Sequence, residues 1–121
     1  MPLNQSHTLH NHIHVSVRLK PLAEHEQSMH REKRQLGGPW QIVNETTIRE
    51  RTAKESFHFD RVFGPAVTTE QIFREDLRNM MCNALKGYNV SVLAYGQTNS
   101  GKTFTITGGL SNDGEEQPGI I

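Results

Sequence analysis

Apolar and β-branched residues alternate with polar ones over residues 13–19, and this alternation predicts a strand that ends at Pro21. Residues 23–35 are mostly polar and charged, and they predict a short helix that the glycines before Pro39 would end. Residues 1–11 show no periodicity and predict a polar leader with little order. The first third of the chain should therefore contribute one strand and one surface helix.

The middle of the chain carries both strand and helix signals. Residues 40–43 and 46–49 predict a hairpin, and residues 56–63 predict a further strand. Thr68 then begins a helical pattern with Gln71 three residues later, which is the spacing of a capping box. The apolar residues of this helix recur at helical spacing and a glycine follows its last turn, so one face should pack on a sheet.

Residues 90–95 form an apolar run that predicts a buried strand, and the octet after it matches the phosphate-binding pattern G-x-x-x-x-G-K-[ST]. A polyphosphate needs several converging backbone N–H groups, and a loop curls that tightly only where residues such as Gly96 and Gly101 lack Cβ. Lys102 would reach the β- and γ-phosphates, and the Thr103 hydroxyl would ligate Mg²⁺. The predicted phosphate site comprises Gly96, Gln97, Thr98, Asn99, Ser100, Gly101, Lys102 and Thr103.

Composition narrows the class of protein further. The 121 residues include 13 basic and 13 acidic side chains, one cysteine and 34% hydrophobic residues. The balanced charge disfavours a nucleic-acid binder, and the hydrophobic fraction is low for a complete globular domain. One cysteine excludes an intramolecular disulfide, and no apolar run approaches the roughly 18 residues of a membrane span. We therefore expect a cytoplasmic protein with no nucleic-acid or membrane partner.

Segments on both sides of the phosphate loop resemble the kinesin motor head. They are similar, in order, to its R-x-R-P motif, F-D-x-V-F strand, G-Y-N turn, extended phosphate loop and G-I-I motif, at residues 15–22, 57–63, 85–89, 95–108 and 119–121. The resemblance implies an α/β fold of the P-loop NTPase type, with residues 90–95 in a central sheet and helices on both faces. The expected boundaries are a disordered leader over residues 1–11 and the N-terminal part of a motor domain over residues 12–121.

The resemblance also implies an activity, which is ATP hydrolysis coupled to movement along microtubules. ATP and Mg²⁺ would be the cofactors, tubulin the partner, and the cytoplasmic microtubule cytoskeleton the location. The family's pattern implies that Arg18, Pro21 and Phe104 border the adenine, that Lys102 and Thr103 are catalytic, and that Thr103 binds the metal. Residues around the motifs favour the centromere-associated, mitotic kinesins.

Two departures from the family's pattern affect the expected function. Lys20 stands where R-x-R-P has its second arginine, so the contact there should be weaker or altered because the planar fork is lost. The switch motifs N-x-x-S-S-R and D-L-A-G do not occur, and a complete head is about three times as long, near the upper limit for one core. We therefore expect this chain to be inactive as an ATPase by itself, with dimerisation left to regions not present.

Two other classes of protein are alternatives to the motor. A small-molecule P-loop kinase usually carries its phosphate loop near the N-terminus, whereas the loop here begins at residue 96. A truncated, kinesin-derived module that binds nucleotide or a partner without moving stays open. The alternating His10, His12 and His14 have no cysteine or carboxylate near them in sequence, so no metal site is predicted there.

Overall fold

The computed structural model describes residues 13–21, 38–110 and 114–121; the leader and the predicted helix over residues 23–35 lie outside them. The strands are β1 (Ser16–Arg18), β2 (Trp40–Asn44), β3 (Thr47–Glu50), β4 (Ser56–His58), β5 (Arg61–Phe63), β6 (Gly108–Leu110) and β7 (Glu116–Pro118). The helical elements are α1 (Thr69–Ile72), a π-helical segment (Phe73–Leu77), α2 (Arg78–Leu85) and α3 (Lys102–Thr107). The described residues thus combine sheets and helices, as the sequence predicts.

The parallel pair of β1 and β5 contributes to the core. Val17 lies opposite Val62, and Arg18 lies opposite Phe63. Val62 and Phe63 are buried, because a strand covered by helices and other strands turns apolar side chains away from water. The other buried hydrophobic residues in the described part of the chain are Ile48, Ile72 and Leu77. The first predicted strand is therefore confirmed, in a form shorter than residues 13–19.

The antiparallel sheet of β2, β3 and β4 confirms the predicted hairpin. Its turn is stabilised locally, because the Asn44 side-chain carbonyl accepts a hydrogen bond from the Thr46 N–H at 3.0 Å, as in an Asx turn. Across the sheet, the rings of Trp40 and Phe57 meet edge to face with centroids 5.8 Å apart. The sheet is a small unit whose outer face stays largely exposed to solvent.

The predicted single strand over residues 56–63 is wrong, because β4 and β5 belong to different sheets. The change falls at Phe59 and Asp60. The Phe59 N–H still donates to the Thr46 carbonyl at 2.8 Å, whereas the Asp60 N–H donates to the Val15 carbonyl at 3.0 Å. The Asp60 carboxylate also accepts from the Val15 N–H at 2.8 Å. Alternating side chains predict a strand but not its partner, so the sequence did not reveal this switch.

Helix α1, the π-helical segment and α2 follow one another without a break, and both ends are as predicted. The Thr68 hydroxyl accepts from the Gln71 N–H while the Gln71 side chain accepts from the Thr68 N–H, which completes the capping box. At the other end Gly87 has φ 94°, and the Tyr88 N–H donates to the Asn83 carbonyl in a Schellman motif. None of the helices in the described ranges has the length and apolarity needed to cross a bilayer.

Residues 90–95 form no strand, so the prediction of a central strand there is wrong for the described structure. Leu93 is 90% exposed and Tyr95 is fully exposed. A strand is completed by hydrogen bonds to a neighbour, and none of the described strands pairs with this segment. An apolar, β-prone sequence is therefore not sufficient to form a strand at this position.

The segment after α3 is a hairpin formed by β6 and β7. β6 and β7 pair with Gly108 opposite Pro118. Beyond β7, the Ile120 N–H donates to the Thr105 carbonyl at 3.0 Å, so the chain returns to the end of α3. A Cβ at Gly119 would lie 2.3 Å from the Ile106 carbonyl oxygen, and only glycine permits this approach. Gly108 and Gly119 thus allow the close pairing that the sequence reading missed.

Candidate nucleotide-binding site

The octet that matches the phosphate-binding pattern forms a tight loop that leads into α3, which begins at Lys102. Asn99 and Gly101 have φ values of 65° and 92°. Glycine adopts this left-handed region readily, but a residue with a Cβ does so at a cost and needs support from its surroundings. At Gly96 a Cβ would lie 2.4 Å from the Ser100 Oγ, so a larger residue would force the Ser100 side chain to move. Both predicted glycines are therefore required by the loop geometry.

The Lys102 ammonium lies against the backbone of the loop. Its Nζ donates to the carbonyl of Gly96 at 2.8 Å and to that of Gln97 at 2.7 Å. The Gln97 carbonyl also accepts from the Ser100 N–H at 3.2 Å, which closes the curl. A phosphate oxygen bound at this loop would compete with the two carbonyls for the ammonium, because charge-assisted hydrogen bonds between ions are the stronger ones.

The residues present fit a nucleotide polyphosphate. The Ser100 Oγ is buried with no hydrogen-bond partner in the described part of the chain, a condition that costs about 1–3 kcal/mol unless a ligand or solvent satisfies it. Thr103 is exposed on the first turn of α3, beside Lys102. Mg²⁺ prefers oxygen ligands and usually keeps several waters, so one hydroxyl next to a polyphosphate fits this ion. Gln97, Thr98 and Asn99 are exposed around the same curl.

Arg18 connects β1 to both neighbouring helices. Its guanidinium donates to the hydroxyls of Thr69 at 2.9 Å and Thr105 at 3.0 Å, and to the Val67 carbonyl at 3.3 Å. It also lies over the Phe104 ring, 5.6 Å from the centroid, within the range of a cation–π contact. Burial lowers the pKa of Arg18 from its ordinary value, but an arginine stays protonated in proteins. Arg18 and Phe104, predicted at the adenine, are therefore in contact with each other.

Lys20 reaches the phosphate loop, a contact that the sequence reading did not predict. Its Nζ donates to the Asn99 carbonyl at 3.2 Å. Pro21 is exposed and follows Lys20 directly in the sequence, which is what places it near this contact. A basic residue two positions after Arg18, just beyond the end of β1, was the available signal. Thr69 and Thr105 gave no signal, because nothing in their own neighbourhood indicates a distant arginine.

His14, just before β1, and Ser16, at its start, make a different set of contacts. His14 Nε2 lies 2.7 Å from Asp76 Oδ1, and its Nδ1 lies 4.0 Å from Asp60 Oδ2. The Ser16 hydroxyl donates to Asp76 Oδ2 at 2.5 Å. Within the described ranges no group of three His, Cys, Asp or Glu residues could hold a metal ion; His10 and His12 lie outside those ranges. The cluster ties the start of β1 to the π-helical segment.

Together, a glycine-bounded phosphate loop, the lysine within it and the helix that follows define a P-loop nucleotide-binding protein. The sequence profile of the kinesin motor domain matches residues 18–121, which is most of the chain. The chain therefore belongs to the kinesin motor domain family. This membership disfavours the small-molecule kinase, and the centromere-associated subfamily stays a prediction.

Individual relatives agree with the family assignment. The kinesin-like protein KIN-7A of Oryza sativa subsp. japonica is 40% identical over 102 residues, which cover 79% of this chain and 10% of the rice protein. KIN-7A of Arabidopsis thaliana is 39% identical over 114 residues, which cover 88% of this chain and 11% of that protein. The solved structure of a fast kinesin matches with a TM-score of 0.72 and 32% identity, over 90% of this chain and 30% of that chain. This chain thus corresponds to one part of the kinesin motor fold.

Proposed function

We propose that residues 96–103 bind Mg·ATP and that, in a complete motor head, this site hydrolyses ATP to drive movement along microtubules. The observation that carries the proposal is the position of the Lys102 ammonium, 2.7–2.8 Å from two carbonyls inside a curl bounded by Gly96 and Gly101. Membership of the kinesin motor domain family supports the same activity. The matching fast kinesin was described for its ATPase mechanism and its interactions with microtubules. The protein would then act in the cytoplasm, on the microtubule cytoskeleton.

Each part of the loop has a distinct role in this proposal. The backbone of residues 98–103 would cradle the phosphate oxygens through N–H groups other than that of Ser100, which donates to the Gln97 carbonyl. Lys102 moves from the loop carbonyls to the β- and γ-phosphates, where its charge offsets the negative charge that develops during phosphoryl transfer. The Thr103 hydroxyl would hold Mg²⁺, which would supply positive charge against the phosphates. Because such catalysis is mainly positioning and charge stabilisation, the rigidity of the loop matters as much as any single side chain.

The adenine would lie beside Phe104, at the start of α3. The ring is held from one side by the Arg18 guanidinium, which is itself fixed by hydrogen bonds to Thr69 and Thr105. Pro21 would border the same base, as the resemblance implies. A base that stacks on an aromatic side chain gains about 1–3 kcal/mol, so this side of the site would contribute affinity that the phosphate loop does not.

The proposal is tested by calorimetric titration of the full chain with Mg·ADP. Lys102→Ala should weaken binding by about 30-fold or more, on the order of 2–4 kcal/mol, because a charge-assisted contact to phosphate is lost. Lys86→Ala is the matched control, since Lys86 is an exposed lysine at the C-cap of α2. Equal affinities of wild type and Lys102→Ala would contradict the assignment of Lys102.

A further inference from the structure

The peptide between Asn99 and Ser100 is held at both of its polar ends. The Asn99 carbonyl accepts from Lys20 Nζ at 3.2 Å, and the Ser100 N–H donates to the Gln97 carbonyl at 3.2 Å. A peptide group is planar, so fixing its oxygen and its hydrogen fixes its orientation. This peptide lies at the middle of the phosphate loop, and its orientation determines the direction of the loop around it.

Outside support favours this orientation because Asn99 has φ 65°. Asparagine enters the left-handed region more readily than most residues with a Cβ, but still at a small cost that surrounding contacts offset. Lys20 is a contact of that kind, and it comes from the chain beyond β1, 79 positions away in sequence. The loop is therefore held from outside as well as by its own residues.

Two lysines thus contact the carbonyls of the loop, and they differ in what a ligand would do to them. Lys102 holds the carbonyls of Gly96 and Gln97, and under the proposed function its ammonium leaves them for the phosphates. Lys20 holds the carbonyl of Asn99, which Lys102 does not contact. The Lys20 contact is therefore the one that can persist when nucleotide binds.

We infer that Lys20 is a positioning residue for the phosphate loop, which holds the 99–100 peptide so that the loop keeps the curl that binds polyphosphate. This inference rests on the proposed function. It assigns Lys20 to the phosphate side of the site, whereas the motif to which it belongs is expected to run along the adenine. The two roles are separable, because a residue that shapes the loop affects every polyphosphate, and a residue that contacts the base affects only ligands that carry one.

The test uses the full chain as wild type, Lys20→Met, Lys20→Arg and Lys86→Met, titrated with Mg·ADP and with Mg·tripolyphosphate. Lys20→Met keeps the aliphatic stem and removes the donor, so both ligands should bind about three- to tenfold more weakly, by the same factor. Lys20→Arg keeps a donor and should recover most of the affinity, while Lys86→Met should bind both ligands as wild type does.

A second measurement, hydrogen exchange without nucleotide, separates loop positioning from general destabilisation. Lys20→Met should speed amide exchange over residues 96–103 and leave α1 and α2 as protected as in wild type. A loss confined to Mg·ADP would overturn the inference, because Lys20 would then contact the base. Unchanged affinity and unchanged loop exchange in Lys20→Met would also overturn the inference. If Lys102→Ala nevertheless lost affinity, the proposed function would stand. A wild-type chain that binds neither ligand would overturn both.

Discussion

The phosphate loop and α3 differ from residues 90–95, the six residues before the loop, in what holds them in place. The loop and α3 receive hydrogen bonds from Lys20 and Arg18, and Lys102 adds two more from within. Residues 90–95 pair with none of the described strands, and Leu93 and Tyr95 point into solvent. The loop is thus stabilised by side chains of neighbouring elements, whereas the segment before it lacks the backbone partner on which a strand depends.

β5 shows what such a partner contributes. Like residues 90–95, it contains adjacent apolar, β-prone residues, Val62 and Phe63, but its backbone pairs with β1 and Phe63 is only 4% exposed. A clear difference between the two segments in the described ranges is therefore the presence of a strand partner beside β5. Predictions that separate local from neighbour-dependent stability can test this comparison.

The largest expected effect is that of Phe63→Ala in the 121-residue chain, with Tyr95→Ala as the comparison. Phe63→Ala should lower the free energy of unfolding by about 3–5 kcal/mol, because it leaves a cavity among buried side chains. Tyr95→Ala should change it by less than about 0.5 kcal/mol, because the ring touches little protein. Denaturant unfolding followed by circular dichroism measures both. Similar losses for the two variants would contradict the comparison, because residues 90–95 would then be packed as tightly as β5.

A smaller effect is expected at Gly96, where the structure leaves no room for a Cβ. Gly96→Ala should weaken Mg·ADP binding by about 1–3 kcal/mol, the usual cost of overpacking, because the new methyl would press on the Ser100 Oγ. Adding Ser100→Gly removes that contact and should restore part of the affinity. If the double variant bound no better than Gly96→Ala alone, the cause would not be the close approach of these two residues.

The smallest effect concerns the base side of the site. Phe104→Ala should weaken adenine nucleotides by roughly 1–2 kcal/mol more than inorganic triphosphate, if the ring stacks on the base. Calorimetry with the two ligands measures the difference directly. Equal losses of affinity for the two ligands would indicate that the Phe104 ring packs against Arg18 to stabilise α3 and does not recognise adenine.

Features that depend on a few consecutive residues were predictable. The capping box at Thr68 and Gln71, the glycine that ends the helix at Gly87, and the hairpin turn at Asn44 all follow from side chains and backbone groups within five positions of one another. The phosphate loop belongs to this group, because its glycines and its lysine lie within seven residues.

Features that depend on which segments lie side by side were not predictable from the sequence. The break at Phe59 and Asp60 exists because the chain leaves the β3 edge for β1, and the side-chain pattern is the same on both sides of that change. The hairpin of β6 and β7 depends on the close approach of the backbone at Gly108 and Gly119, which are far apart in the sequence.

The sequence by itself therefore determined the class of site, a phosphate loop within a kinesin motor sequence, since that chemistry is written in adjacent residues. Only the tertiary structure decided how the loop is supported. Lys20 reaches the loop from 79 positions earlier and Arg18 reaches α3 from 87 positions earlier, while residues 90–95 stay without a strand partner in the described ranges. The physical reason is that a hydrogen bond between distant segments depends on the path of the whole chain, which no local pattern specifies.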